Sequence, residues 1–252
     1  MNIKGPITNI LGKKKSYKLV KVINRHLRKI IARCYGWQME LEWNRKDMPE
    51  WFDHNIDLYY YWRKKRNPQW LERGCYNLLA IKQGSNLLEL CCSDGFNAYH
   101  FYSIRAKHII AVDFGENAIN QAKSDNQADN ITYQLCDIRT GIPEGIFDNI
   151  IWDAAIEHFT KEEIQIIMSG IKKRLSKDGI LSGHTIVEAN LGKTSHHEIE
   201  FKSKEDLMHF FSPYFKNIKI FETIYPSRHN LYFYASDGIL PFDENWRFQI
   251  TS

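Results

Sequence analysis

A chain of 252 residues, 43% hydrophobic and 25% charged, has room for one large α/β domain with an appendage and can bury a sizeable core. No apolar run approaches the ~18 residues of a membrane helix, and charge fills the N-terminal stretch where a secretory signal would carry its apolar segment. The net charge of +4 hides an asymmetry: residues 1–34 hold ten Lys or Arg and no Asp or Glu, so the rest of the chain sums to about −6.

An acidic body is poorly suited to nucleic acid, which is not an expected partner. Cys34, Cys75, Cys91, Cys92 and Cys136 form no CxxC pair, and three lie in apolar, strand-like runs. They read as small core residues of a reducing compartment, which places the chain in the cytoplasm.

Residues 17–35 space Val20, Ile23, Leu27, Ile30, Ile31 and Cys34 at helical intervals. Lys18, Lys21, Arg25, Arg28, Lys29 and Arg33 lie between them, which makes a basic amphipathic helix. Three uses are open to it: a solvated helix packed on the core, an attachment to an anionic membrane surface (here the inner face), or a contact with nucleic acid or another polyanion. Trp51-Phe52-Asp53-His54 and Leu58 to Trp62 follow as an aromatic run, either the docking surface of a lid or a ligand platform. Asn67-Pro68 opens a helix that should reach Lys82 and stop at Gly84. The expected organisation is therefore a basic extension (1–50), an aromatic lid and helix (51–84) and a main domain (85–252).

Strands are then expected at 86–91, 108–114, 131–137, 147–155 and 180–187. Helices over 98–104, 117–124 and 161–175 separate them, the last ending in a turn at Ser176-Lys177-Asp178-Gly179. This alternation predicts an α/β, doubly wound Rossmann-like sheet, mostly parallel. After a helix at 203–211, strands at 218–224 and 231–235 follow without an intervening helix. They should close a seven-stranded sheet as an antiparallel pair.

In such a sheet the ligand sits beyond the carboxyl ends of the strands. Four successive ends here carry acids: Glu89 within ELCCSDG, then Asp113, Asp137 and Asp153. Gly95 lets a backbone approach a ligand. Asp113 suits the two hydroxyls of a ribose, and Asp137 an adenine amino group. A dinucleotide would need G-x-G-x-x-G, whereas this loop has one glycine and a glutamate that would repel a diphosphate.

On these motifs residues 86–188 resemble the class I S-adenosylmethionine methyltransferases, with FDNIIWDAAIEHF and LSKDGIL matching two further family segments. The resemblance implies S-adenosylmethionine as cofactor. Glu89 and the Cys91–Gly95 loop, including Ser93, would hold its methionine part, and Asp113 its ribose. Phe114 would pack on adenine, and Asp137 with the adjacent Ile138 would meet the adenine edge. Asp153 closes the expected set. The chain departs from the family's G-x-G-x-G at Cys91 and Ser93, where a β-carbon could crowd the ligand.

Methyl transfer to a hydroxyl needs a proton acceptor, and histidine suits neutral pH. His197 is the first candidate, with His158 of the E-H pair and the neighbouring His196 behind it. The His196-His197-Glu198 cluster could be a base with its orienter or a metal site, and no metal ligands are assigned. Members with this first motif and an N-terminal aromatic segment are associated with glycan and cell-surface polysaccharide synthesis, which implies a sugar hydroxyl in a glycan or other small acceptor. The alternatives are methylation of RNA or another small molecule, or a non-catalytic cofactor-binding module.

Overall fold

The computed structural model describes residues 4–43, 62, 66–187, 197–226 and 228–242. Most of the aromatic run, from Trp51 to Tyr61, and His196 lie outside the described residues. The chain divides into two compact units, Met1–Met48 with Asn55–Lys64, and Pro49–His54 with Lys65–Ser252.

The first unit is dominated by α1 (Lys4–Trp43), longer than the expected 17–35 and interrupted at Gly12, whose φ of 72° and ψ of 153° are not helical. Leu19, Val20, Ile23, Leu27, Ile30 and Ile31 are all exposed along it, as is Trp37. Among the described residues no helix is long and apolar enough to cross a membrane.

In the second unit, α2 (Gln69–Ala80) precedes β1 (Asn86–Leu90). Next come α3 (Phe96–His100), β2 (His108–Asp113), α4 (Glu116–Asp125), β3 (Ile131–Leu135) and β4 (Phe147–Asp153). The chain continues through α5 (Lys161–Arg174), β5 (Leu175–Ile186), α6 (Lys204–Phe211), β6 (Asn217–Tyr225) and β7 (Arg228–Ser236). The strands form one seven-stranded sheet in the order β3-β2-β1-β4-β5-β7-β6. Pairs from β3 to β5 are parallel, whereas β7 runs antiparallel to both β5 and β6. The doubly wound sheet and its closing antiparallel pair are thus as expected.

Side-chain alternation along the strands divides the core in two. Leu88, Leu90, Val112, Ile150 and Trp152 meet Ile164, Ile167, Met168 and Ile171 of α5 and Leu207 and Phe211 of α6. Their neighbours Leu87, Ile109, Ala111 and Ile151 meet Leu78 of α2 and Ile119 and Ala122 of α4. Helix α5 starts at a reciprocal capping box: Glu163 N–H donates to Thr160 Oγ1 at 3.2 Å, and Thr160 N–H to Glu163 Oε2 at 2.9 Å. Such a cap contributes about 1 kcal/mol.

Most expected bounds in this unit shift by one to three residues at an end, and two elements differ more. The helix predicted over 98–104 is α3 followed by a separate 3-10 turn, Tyr102–Ile104. The expected turn at 176–179 lies inside β5: Leu175 pairs with Phe147, and pairing resumes at Asn149 with Ile180. Four residues therefore bulge opposite one, and Ser236 Oγ holds the bulge by donating to the Gly179 carbonyl at 2.7 Å.

Candidate active site

Strand order reverses between β1 and β4, so the loops leaving these strands diverge and open a crevice at the carboxyl end of the sheet. The β1–α3 loop enters it with three left-handed residues, Cys91 (φ 57°), Ser93 (φ 54°) and Gly95 (φ 75°). The two positions that depart from the family's glycines thus keep a glycine-type backbone, each at a cost of order 1 kcal/mol or more. Gly95 has a second constraint, since a β-carbon there would stand 2.4 Å from the Tyr133 hydroxyl.

Side chains brace the loop. Tyr133 donates to the Asn126 carbonyl at 2.5 Å, Asn126 Nδ2 to the Asp94 carbonyl at 2.8 Å, and Phe96 N–H to Asp94 Oδ1 at 3.1 Å. Burial pushes the thiols of Cys91 and Cys92 well above their ordinary value, so both stay protonated. None of the five cysteines is bridged.

The four acids meet different fates. Glu89 is 2% exposed, and among the described residues its buried Oε2 has no hydrogen-bond partner. Burial, then the charge of Asp153, raises its pKa well above the ordinary value, opposed by Arg73. An orphaned carboxylate oxygen beside this loop fits the α-ammonium of a methionine moiety.

Asp113 bridges two loops: Oδ2 accepts from Ser93 N–H at 2.9 Å, and Oδ1 from Gly115 N–H at 2.8 Å. The carboxylate keeps acceptor capacity for a ribose hydroxyl. Burial raises the Asp113 pKa, with the backbone donors opposing. Phe114, beside it, leaves 64% of its surface exposed, an open face for a purine. Asp137 is clasped by Arg139 through Nε at 2.9 Å and Nη2 at 2.6 Å, and this pairing lowers its pKa.

Two members of the expected cofactor set have side chains engaged elsewhere. Asp153 accepts from Arg73 Nε at 2.8 Å and Nη2 at 2.5 Å, from Asn77 Nδ2 at 3.0 Å and from Asn97 Nδ2 at 3.3 Å. Its acceptor capacity anchors α2 and leaves little for a ligand. Ile138 buries its side chain in the core, so only its main chain remains for a ligand.

The partners of Asp153 were not foreseen from sequence. The available signal was Glu72, Arg73 and Asn77 interrupting the apolar face of α2. Glu72 is likewise buried, and its Oε2 accepts from Thr223 Oγ1, Asn230 Nδ2 and Tyr232 Oη at 2.9–3.0 Å.

Beyond β4, the 3-10 turn Ile156–His158 presents Glu157 and His158. Glu157 is buried; Thr185 Oγ1 of β5 donates to its Oε2 at 3.0 Å, and its carbonyl accepts from Glu198 N–H at 2.9 Å and Ile199 N–H at 3.1 Å. Those main-chain bonds hold Glu198 and Ile199 against the turn. His197 and His158 meet edge to face with ring centroids 4.7 Å apart. The structure thus unites two of the three expected histidines.

His184 is fully buried, its Nε2 3.1 Å from Asn230 Oδ1, and burial drives its pKa well down. His229 pairs with Glu222 at 3.3 Å.

A family described as a methyltransferase domain matches residues 81–219. Among solved structures, the N-methyltransferase NodS from Bradyrhizobium japonicum WM9 superposes with a TM-score of 0.57 at 17% identity, covering 69% of this chain and 98% of that one. NodS has also been solved with S-adenosyl-L-homocysteine. The YcgJ protein from Bacillus subtilis superposes with a TM-score of 0.54 at 13% identity, covering 65% and 96%. DhpI bound to SAH superposes with 0.51 at 16%, covering 61% and 76%. No curated protein matches the chain in sequence. The matched region runs from the end of α2 into β6 and contains every element that shapes the crevice, and the chain belongs to the class I S-adenosylmethionine-dependent methyltransferases.

Proposed function

We propose that the chain O-methylates a hydroxyl of a small sugar-type acceptor, with His197 as proton acceptor and His158 packed against it. The observation that carries this reading is the edge-to-face His158–His197 pair at the turn that follows β4, on the carboxyl side of the sheet. S-adenosylmethionine supplies a sulfonium methyl, whose S–C bond breaks as the O–CH3 bond forms, leaving a neutral thioether.

The chain's own residues do the rest. Glu89 receives the cofactor's ammonium, and Asp113, Phe114 and Asp137 receive the nucleoside. His197 takes the hydroxyl proton as the oxygen attacks. An amine can attack with its own lone pair once neutral, so an imidazole pair at this point favours oxygen. The sugar assignment is supported by the likeness of the ELCCSDGF segment to members associated with glycan synthesis. The acceptor would enter over the segment that carries His197.

Methyl transfer to nucleotide-activated and lipid-linked sugars tests the proposal. His197→Ala should lower kcat about 10²-fold while S-adenosylhomocysteine affinity stays unchanged. Full activity in His197→Ala, with loss in a folded His158→Ala, would move the base to His158. Methylation confined to amines would reject the hydroxyl acceptor.

The exposed α1 supports a further part of the reading, a peripheral contact with an anionic membrane surface on the cytoplasmic side. Its charge and apolar residues match such a surface better than a polyanion in solution.

A further inference from the structure

The donor atoms of Glu157, His158 and His197 all lie within 4.8 Å of one another. We propose that these three side chains form a binding site for a divalent first-row transition ion. Two imidazoles and one carboxylate suit manganese, iron, cobalt or zinc and leave positions open for an oxygen ligand. Donors around such an ion stand roughly 3–3.5 Å apart, so adjustments of about an ångström in the side chains close the site.

The surrounding structure supports this assignment. Glu157 is 4% exposed, and none of its described contacts is an ion pair. A buried carboxylate is stabilised by an adjacent cation. Thr185 Oγ1, donating to Oε2, orients the carboxylate as an outer hydrogen bond orients a metal ligand, leaving Oε1 for the ion. Glu157 and His158 ride on one short turn, and His197 is secured to that turn through the Glu157 carbonyl by the two residues after it. The backbone therefore prepays much of the ordering that three separate loops would require.

The inference rests on reading this end of the sheet as the reaction centre, and it deepens that reading. With an ion bound, His197 is a ligand and no longer the base. Coordination lowers the pKa of the acceptor hydroxyl, whose proton leaves to bulk water, so the hydroxyl acceptor is kept and the His197 base is replaced.

Cobalt(II) titration of the full, metal-stripped chain, followed by visible absorption, tests the site, with S-adenosylhomocysteine affinity and circular dichroism measured alongside. The expected result is one saturable cobalt per chain, displaced by zinc, with affinity reduced at least tenfold in His158→Ala and in His197→Ala. Glu157→Gln, which keeps shape and the Thr185 contact, should also bind at least tenfold more weakly. No saturable binding at millimolar cobalt, or equal binding by folded His158→Ala and His197→Ala, would overturn the proposal. Retained S-adenosylhomocysteine affinity would then leave the methyltransferase reading intact, because cofactor binding is read independently.

Discussion

Glu89 opposes burial to charge, and the conflict has a measurable sign. Its folded-state pKa lies well above the ordinary glutamate value, through burial first and Asp153 second. The folded protein therefore holds this proton to higher pH than the unfolded chain. The stability this residue contributes is full below the unfolded pKa and is lost as pH rises through the folded one. His184 acts in the opposite direction: burial, then Arg73 and Arg228, lowers its pKa, so its contribution is lost as pH falls. The difference between wild-type and Glu89→Gln melting profiles isolates the carboxyl. Glu89→Gln should gain on the wild type as pH rises from 4.5 to 8 without cofactor, reversing once S-adenosylmethionine supplies an ammonium partner. A constant difference between the profiles would remove Glu89 as the ammonium's receptor. Asp113→Ala should weaken cofactor binding by about 1–3 kcal/mol, measured by calorimetry, because ribose hydroxyls lose their acceptors and the Ser93 and Gly115 amides lose theirs. Unchanged affinity in the folded variant would reject the ribose assignment.

At the scale of elements, α2 is held to β4 by a buried ion pair. The Arg73 side chain is 12% exposed and that of Asp153 4%, with the guanidinium also 5.1 Å from the Trp70 ring. Removing one partner strands the other charge, so Arg73→Met should cost about 3–5 kcal/mol in urea unfolding. Arg73→Met combined with Asp153→Leu should recover a large part of that loss. A single-variant loss below about 1 kcal/mol would mean that the pair is solvated and α2 is held by apolar contacts alone. The β1–α3 loop offers a second element-scale test. Gly95→Ala adds a strained φ and a clash with Tyr133, and Tyr133→Phe in the same chain should relieve only the hydroxyl part. Periodicity disclosed the strands because β1, β2 and β4 are apolar runs bounded by loops. It placed Glu89 and Asp113 correctly at strand ends. It could not show that Asp153 is saturated by Arg73, Asn77 and Asn97, since those partners lie 80, 76 and 56 residues away. The meeting of His158 with His197 was equally hidden, because it depends on two main-chain bonds to the Glu157 carbonyl.

Across the whole molecule, charge is distributed by position along the chain. The ten basic residues of positions 1–34 precede a body that sums to about −6, and α1 contains all ten. An acidic body would be repelled by an anionic bilayer, so surface attachment must come from α1 alone. Near such a surface each Lys or Arg contributes about 1 kcal/mol, falling off within a Debye length. Apolar insertion adds to this through side chains such as Ile30 and Ile31, 56% and 53% exposed. Pelleting with phosphatidylserine vesicles should therefore be strong at low salt, weaken steeply as salt rises, and vanish when residues 1–35 are deleted. Ile30→Asp with Ile31→Asp should weaken pelleting even at low salt, because it removes inserted area and adds repulsion. The truncated chain should still bind S-adenosylhomocysteine, since the residues proposed to hold the cofactor all lie in the second unit. Binding that ignores salt, or that survives the truncation, would assign the attachment to another surface and leave α1 a solvated helix.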